Sequence, residues 1–254
     1  ISKELEIISG DVIDSDFILS ITKKKDYVFN LAALIAIPFS YKSPKSYVDT
    51  NIIGTLNILN ACKRNSFKLI QTSSSEVYGT AKYTPIDEKH PMQGQSPYSA
   101  TKISADYLSM SYFYSYGLPI SIIRPFNTFG PRQSNRAVIP SIILQMANNK
   151  KFINLGLTTP KRDLSYIDDT VNGFVKTLGK NKIYGEIINI GQNYEISIYN
   201  LYKLIGNLMG KKIPLKKEDK RIRPKNSEVL RLKCNNSKAR SLLNWRPKYS
   251  KKEG

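Results

Sequence analysis

The sequence predicts an α/β protein: a doubly wound parallel sheet followed by a smaller α+β lobe. Three observations carry that expectation. Short apolar runs alternate with longer helical stretches through the first half of the chain, the order that gives parallel sheets with helices on both faces. The run at 67–72 is apolar and short, as a buried parallel strand requires. After Arg124 the texture changes to a loop with two prolines and a glycine, then to shorter mixed elements.

In chain order, 5–9, 27–32, 67–72 and 119–124 read as strands, and 16–23, 47–65 and 97–116 as helices. The third helix is the best marked, because Ser96-Pro97 is a start signal and good helix formers follow. RPFNTFGPRQSNR, at 124–136, reads as a long functional loop. A helix at 140–149, a strand at 152–155, a helix at 169–178, a strand at 186–190 and a helix at 198–209 complete the series. No internal repeat or low-complexity segment interrupts it.

The chemistry concentrates in QTSSSEVYG at 71–79 and SPYSATK at 96–102. The first lies just past a strand's carboxyl end, where open α/β sheets form their ligand crevices. In the second, Tyr98 and Lys102 stand four apart and share a helix face. A nearby ammonium favours the phenolate of a tyrosine, whose reference pKa of about 10 is otherwise too high for base chemistry at neutral pH. Lys102 would thus prepare Tyr98 to take a proton. The spacing alone recurs at Tyr41/Lys45, Tyr78/Lys82 and Tyr199/Lys203, where a solvated face or loop suffices. Context singles out Tyr98.

At 254 residues the chain holds one large or two modest domains, and 41% apolar residues are enough for a real core. No apolar run approaches the roughly eighteen residues that span a bilayer, and no basic-then-apolar leader opens the sequence. Two cysteines make neither a disulfide framework nor a zinc site, so no metal is expected and a reducing cytoplasm is. The net charge of +19 raises the question of nucleic acid. The lysines are scattered, however, with no aromatic-interleaved basic stretch and no helix-turn-helix or zinc-finger spacing. A lysine-rich solvated surface is the expectation, one that also attracts a diphosphate. His90, the only histidine, precedes Pro91 in a loop and reads as a surface residue.

These motifs resemble the extended short-chain dehydrogenase/reductases, the NAD-dependent nucleotide-sugar epimerases and dehydratases. The likeness runs through GDVID at 10–14, NLAA at 30–33, NIIGTLNILNAC at 51–62, RPFNTFGPRQ at 124–133, RDLSYIDD at 162–169, RPKNSEV at 223–229 and SKARSLLNWRP at 237–247. It implies a Rossmann-like sheet, NAD as cofactor and a nucleotide-sugar substrate. It assigns 1–125, with 163–192 returning, to the NAD-binding domain, and 126–162 with 193–254 to the substrate lobe. Such families open with a strand, a GxxGxxG turn and a helix, whereas residues 1–10 already resemble the third strand. The chain is therefore expected to be a fragment lacking that β-α-β opening, roughly forty to fifty residues, and to stop before a closing helix.

By residue matching, the resemblance implies Ser74, Tyr98 and Lys102 as catalytic. Asp11 and Val12 would meet the adenine edge, and Leu31, Ala32, Ala33, Thr72 and Pro125 would line the cofactor with Tyr98 and Lys102. Asn127 would contact the diphosphate, Arg162 and Arg223 phosphate or ribose oxygens, and Glu228 a ribose hydroxyl; each arginine is equally at home on a surface. Glu76 matches the acid found in 4,6-dehydratases. There, Tyr98 removes the 4-OH proton as NAD takes the C4 hydride, and Glu76 takes the C5 proton as the C6 hydroxyl leaves; on the residue alone, Glu76 reads as a loop carboxylate that caps a helix or pairs with a lysine. Ser75 stands where some dehydratases carry an Asp acid, so a water, Ser75 or protonated Glu76 remains to supply that proton, in the manner of GDP-mannose dehydratases. AALIAIPFSYKSP at 32–44 and the segment 73–91 are most similar to bacterial GDP- or UDP-N-acetylglucosamine 4,6-dehydratases of legionaminic acid synthesis. A 4-epimerase or uronate decarboxylase would share Ser74, Tyr98 and Lys102, and a non-enzymatic basic binding protein would make them accidental. Relatives commonly pair through the helices at 47–65 and 97–116, so a homodimer is expected.

Overall fold

The computed structural model of the chain describes residues 4–219, 222–249 and 253. The first half runs α1 (Ser15–Ile21), β1 (Tyr27–Asn30), α2 (Ile37–Ser40), α3 (Pro44–Tyr47), a π-helical turn (Val48–Ile53), α4 (Gly54–Asn65), β2 (Lys68–Thr72), a 3-10 turn (Ser75–Tyr78) and α5 (Pro97–Tyr116). There follow β3 (Ile120–Pro125), β4 (Asn127–Phe129), α6 (Val138–Ala147), β5 (Ile153–Leu155), β6 (Lys161–Arg162), β7 (Leu164–Tyr166) and α7 (Ile167–Val175). The chain closes with β8 (Ile187–Ile190), β9 (Ile196–Ser197), α8 (Ile198–Leu208), β10 (Leu215–Lys217) and α9 (Ser237–Leu243). The main sheet has the order β1-β2-β3-β8, with β1 and β2 parallel and Tyr27 opposite Lys68. This is the Rossmann-like α/β fold expected.

Two compact units divide the chain, one from the described residues of 1–73, 96–122 and 183–186, the other from 74–95, 123–182 and 187–254. They are packing units, whereas the lobes anticipated from the sequence are defined by what they bind.

In the first unit, Ile18, Ile58, Leu59, Cys62, Phe67, Leu69 and Ile120 form one buried cluster. Burying each large aliphatic side chain contributes about 1.5–3 kcal/mol. The Asp14 carboxylate caps α1 by accepting from Phe17 N. α4 ends at Ser66, which takes the left-handed conformation with φ +59° and donates its N–H to Cys62 O. Cys62 is fully buried, and burial pushes its thiol up to about 12. α5 matches its expected bounds because both ends are marked. Ser96 Oγ accepts from Ser99 N and Ser99 Oγ from Ser96 N, at 3.1 and 3.0 Å, and Gly117 closes the helix at φ +64°.

Two expectations fail here. Residues 5–9 form no strand: Leu5, Ile7 and Ile8 are exposed at 59, 73 and 49%, and none pairs in the sheet. Apolar composition cannot make a strand whose backbone groups find no neighbour. The helix expected over 47–65 is interrupted by the π turn, within which Asn51 turns inward. Its amide accepts from Leu34 N and donates to Leu34 O and Thr101 Oγ1.

The second unit has its own core, in which Ile142, Met146, Ile153, Leu155, Leu201 and Ile205 join α6, β5 and α8. The loop expected at 124–136 contains β4, which pairs in parallel with β7, Asn127 opposite Leu164. That pairing was invisible locally because its partner lies 37 residues on. His90 is not on the surface. It is 2% exposed, its Nε2 accepts from Lys82 N at 2.9 Å, and its ring packs against Tyr78 and Tyr83. Cys234 is likewise sealed, and burial with nearby carboxylates raises its thiol well above the ordinary value.

Candidate active site

At the end of β2 the first unit assembles a buried polar cluster. Tyr98 and Lys102 lie one turn apart on α5, 6 and 4% exposed. The Tyr98 ring meets Tyr47 edge-on, centroids 6.3 Å apart, and packs with Ile37. Tyr47 is itself fixed by donating its hydroxyl to Ala36 O at 2.6 Å. The Lys102 ammonium donates to Thr72 O, the last carbonyl of β2. Burial pushes its pKa down to about 8, against the pull of the Asp106 carboxylate. Ser73 Oγ donates to Asp106 Oδ2 at 2.7 Å.

The same edge fits a dinucleotide. Thr72 Oγ1 is buried and makes no hydrogen bond, the kind of orphaned group that a bound partner satisfies. β1 ends at Asn30, whose amide donates to Gln71 Oε1 at 2.9 Å and whose Oδ1 accepts from Ala32 N. Leu31 and Ala32, just beyond, are exposed, and Ala33 is half-buried. Asp11 is exposed and accepts from Ile13 N; Val12 packs against Gly54 and the core.

The second unit carries the Ser74–Gly79 turn. Ser74 Oγ accepts from Glu76 N at 3.2 Å, and a hydroxyl that accepts one bond retains a hydrogen to donate. Ser75 and Glu76 are buried, at 2 and 7% exposed. Gly79 needs its residue type: with φ +63°, a Cβ there would stand 2.6 Å from Gln95 Oε1 and 2.8 Å from Gln93 O. Behind the turn, Tyr78 donates to Asn189 Oδ1 at 2.7 Å and accepts from Arg124 Nη1 at 2.9 Å. Arg124 is 1% exposed, a buried charge made tolerable by that bond and by the Tyr78 ring, 4.9 Å away.

Glu76 faces a charge cluster. Arg162, 7% exposed, donates from Nη2 to Glu228 Oε1 at 3.0 Å, with Arg223 Nη1 at 3.7 Å from the same oxygen. Burial pushes the Arg162 guanidinium below its ordinary value, while the Glu76 and Glu228 carboxylates hold it up. Arg223 Nη1 is buried without a hydrogen bond, and so is Asn127 Oδ1. Arg223 and Glu228 line a cavity of about 690 Å³ with Thr80, Gln95, Lys217 and Asn226. Pro125, half-buried, ends β3.

The residue after Arg162 is another buried acid. Asp163, fully buried, accepts from Gln192 N, Tyr194 N and Cys234 N at 2.8, 3.2 and 3.0 Å. Burial raises its carboxyl to about 6, opposed by these donors. Sequence reasoning passed over Asp163, Asp106, Ser73 and Arg124. No local signal marked Asp163, which follows Arg162 and precedes Leu164 in RDLSYIDD; its partners lie 29 to 71 residues on.

A parallel sheet bearing a buried Tyr-x-x-x-Lys helix, with an acidic turn after the preceding strand, defines the extended short-chain dehydrogenase/reductase class. Within that class the chain belongs to the GDP-mannose 4,6-dehydratase family, whose model matches residues 1–254. It is 35% identical over 222 residues to a dTDP-D-glucose 4,6-dehydratase of Dictyostelium discoideum, covering 81% of this chain and 51% of that one. The chain thus spans about half the length of that curated relative. Its fold matches the dTDP-glucose 4,6-dehydratase of Streptomyces venezuelae, solved with NAD and TYD bound, with a TM-score of 0.93 and 25% identity over 100% of this chain and 78% of that one. The UDP-glucuronic acid 4-epimerase of Bacillus cereus, solved with UDP-glucuronic acid and NAD, gives a TM-score of 0.91 and 31% identity over 98 and 79%. Among the described residues no helix is long and apolar enough to cross a membrane, and no His, Cys, Asp and Glu cluster could hold a metal.

Proposed function

We propose that the protein is an NAD-dependent nucleotide-sugar 4,6-dehydratase that forms a 4-keto-6-deoxy sugar nucleotide from GDP- or UDP-N-acetylglucosamine. NAD, when bound, removes hydrogen from C4 as hydride and returns it to C6. Asp11, Val12, residues 31–33, Thr72 and Pro125 hold the cofactor, and Thr72 Oγ1 gains the partner it lacks. Tyr98 takes the 4-OH proton, with the Lys102 charge favouring its phenolate, and Ser74 donates to O4. The resulting ketone acidifies C5, whose proton Glu76 takes as the C6 hydroxyl departs with a proton from a water, Ser75 or the newly protonated Glu76. Hydride return to C6 is completed by a proton delivered to C5, so that the two protons taken by Tyr98 and Glu76 equal the two given out. Asn127, Arg162, Arg223 and Glu228, in the segments 126–162 and 193–254, hold the nucleotide diphosphate and ribose.

The observation that carries this reading is Glu76, a buried carboxylate in the turn directly after β2 whose charge is felt by Arg162. A base at C5 is needed for elimination and not for epimerisation at C4. The likeness to the Bacillus cereus enzyme keeps a 4-epimerase as the second reading.

Product mass separates the two. With NAD⁺ and UDP- or GDP-N-acetylglucosamine supplied separately, loss of one water that disappears in Glu76→Gln supports the dehydratase and identifies the carrier. Unchanged mass with altered sugar configuration means an epimerase. The buried, unbridged thiols suit a reducing cytoplasm. Exposed Ile53, Tyr107 and Tyr114 at the π turn and on α5 suit a homodimer, which a monomeric mass by light scattering would refute.

A further inference from the structure

We propose that Asp106, held by Ser73, is a positioning residue that keeps the Lys102 amine charged and aimed at the end of β2. Two consecutive residues of the chain are clipped to two positions one turn apart on α5. Thr72 O accepts from Lys102 Nζ, and Ser73 Oγ donates to Asp106 Oδ2 at 2.7 Å. Residues at i and i+4 lie one above the other on a helix, so Asp106 stands directly beyond Lys102 on the face that covers the strand end.

All three side chains are sealed, with Ser73, Lys102 and Asp106 at 3, 4 and 2% exposure. A buried ammonium tends to shed its proton, and Lys102 has been brought down to about 8 by burial alone, with Asp106 as the charge acting against it. The other charged groups on the elements packed around α5 are turned away. Lys45 and Asp49, in α3 and the π turn, close on each other at 2.6 Å, and Lys63 and Arg64 at the end of α4 are exposed. Tyr98 lies one turn before Lys102, and Thr72 and Ser73 are neutral. Asp106 is thus what retains the positive charge that Tyr98 needs, and Ser73 fixes the carboxylate that retains it.

The proposal rests on the reading of Lys102 as the partner of Tyr98, and its test separates the two. Lysine side-chain NMR on the cofactor-free protein, with Lys102 assigned by its loss in Lys102→Met, titrates the amine directly. In Asp106→Asn the titration is expected to move down by about one pH unit or more, and in Asp106→Glu to return most of the way. In the turnover assay the alkaline limb of kcat moves down with it, while KM is little changed. An Asp106→Asn protein in which Lys102 titrates as in the wild type overturns the proposal. Should that variant not fold, the reciprocal measurement remains, because linkage is mutual: Lys102→Met must raise the Asp106 carboxyl pKa, and an unmoved value overturns the proposal equally. A shifted amine in a protein whose nucleotide-sugar product keeps its mass leaves this proposal standing and removes the dehydratase reading; loss of water with an unmoved amine does the reverse.

Discussion

Lys102 carries a charge that its surroundings make costly. Its pKa is lowered from 10.5 to about 8 by burial, so the folded chain holds that proton less tightly than the unfolded one. Below about pH 8 both states are charged and the full penalty, roughly 3 kcal/mol, is present; between about pH 8 and 10.5 the unfolded state binds more protons and stability rises with pH. Lys102→Met removes this component. The variant is expected to exceed the wild type in urea midpoint at pH 7 and to lose that advantage by pH 10. Tyr98→Phe keeps the buried ring and should lower turnover a hundredfold or more, read by product mass. The positions of these residues on one helix were legible because Ser96-Pro97 marks the start and Gly117 the stop. Asp106 and Ser73 were not, since their bond joins residues 33 apart and no local pattern encodes it.

Among the elements, β6 depends on the residue that follows it. Arg162 pairs with Ile196 across β6 and β9, and Asp163 collects the backbone N–H groups of Gln192, Tyr194 and Cys234. An amide at 163 would turn two hydrogens toward donors, so Asp163→Asn is expected to cost about 2–4 kcal/mol. Hydrogen exchange should quicken first at those three amides; uniform protection would show that the carboxylate does not hold them. The sheet strands after residue 10 were readable as short apolar runs because burial on both faces demands that composition. The run at 5–9 has the same composition and no neighbour, and β4 has a neighbour without the composition. Pairing, which composition does not specify, decided both.

For the molecule as a whole, 39 basic against 20 acidic side chains leave +19 charges. A diphosphate substrate is drawn to such a surface, and salt screens the attraction. Raising ionic strength from about 50 to about 300 mM should therefore increase KM for the nucleotide sugar severalfold with kcat little changed. A KM indifferent to salt would mean that the scattered lysines give no net steering.

The two thiols offer a clock for each half of the chain. Cys62 lies in one packing unit and Cys234 in the other, both at 0% exposure and both held in the unreactive protonated form. An alkylating reagent can reach either only after its surroundings open. Pulse alkylation followed by peptide mass analysis would then time the opening of the two units separately, without any engineered label: equal rates would report one cooperative unfolding event, and unequal rates would identify the unit that gives way first.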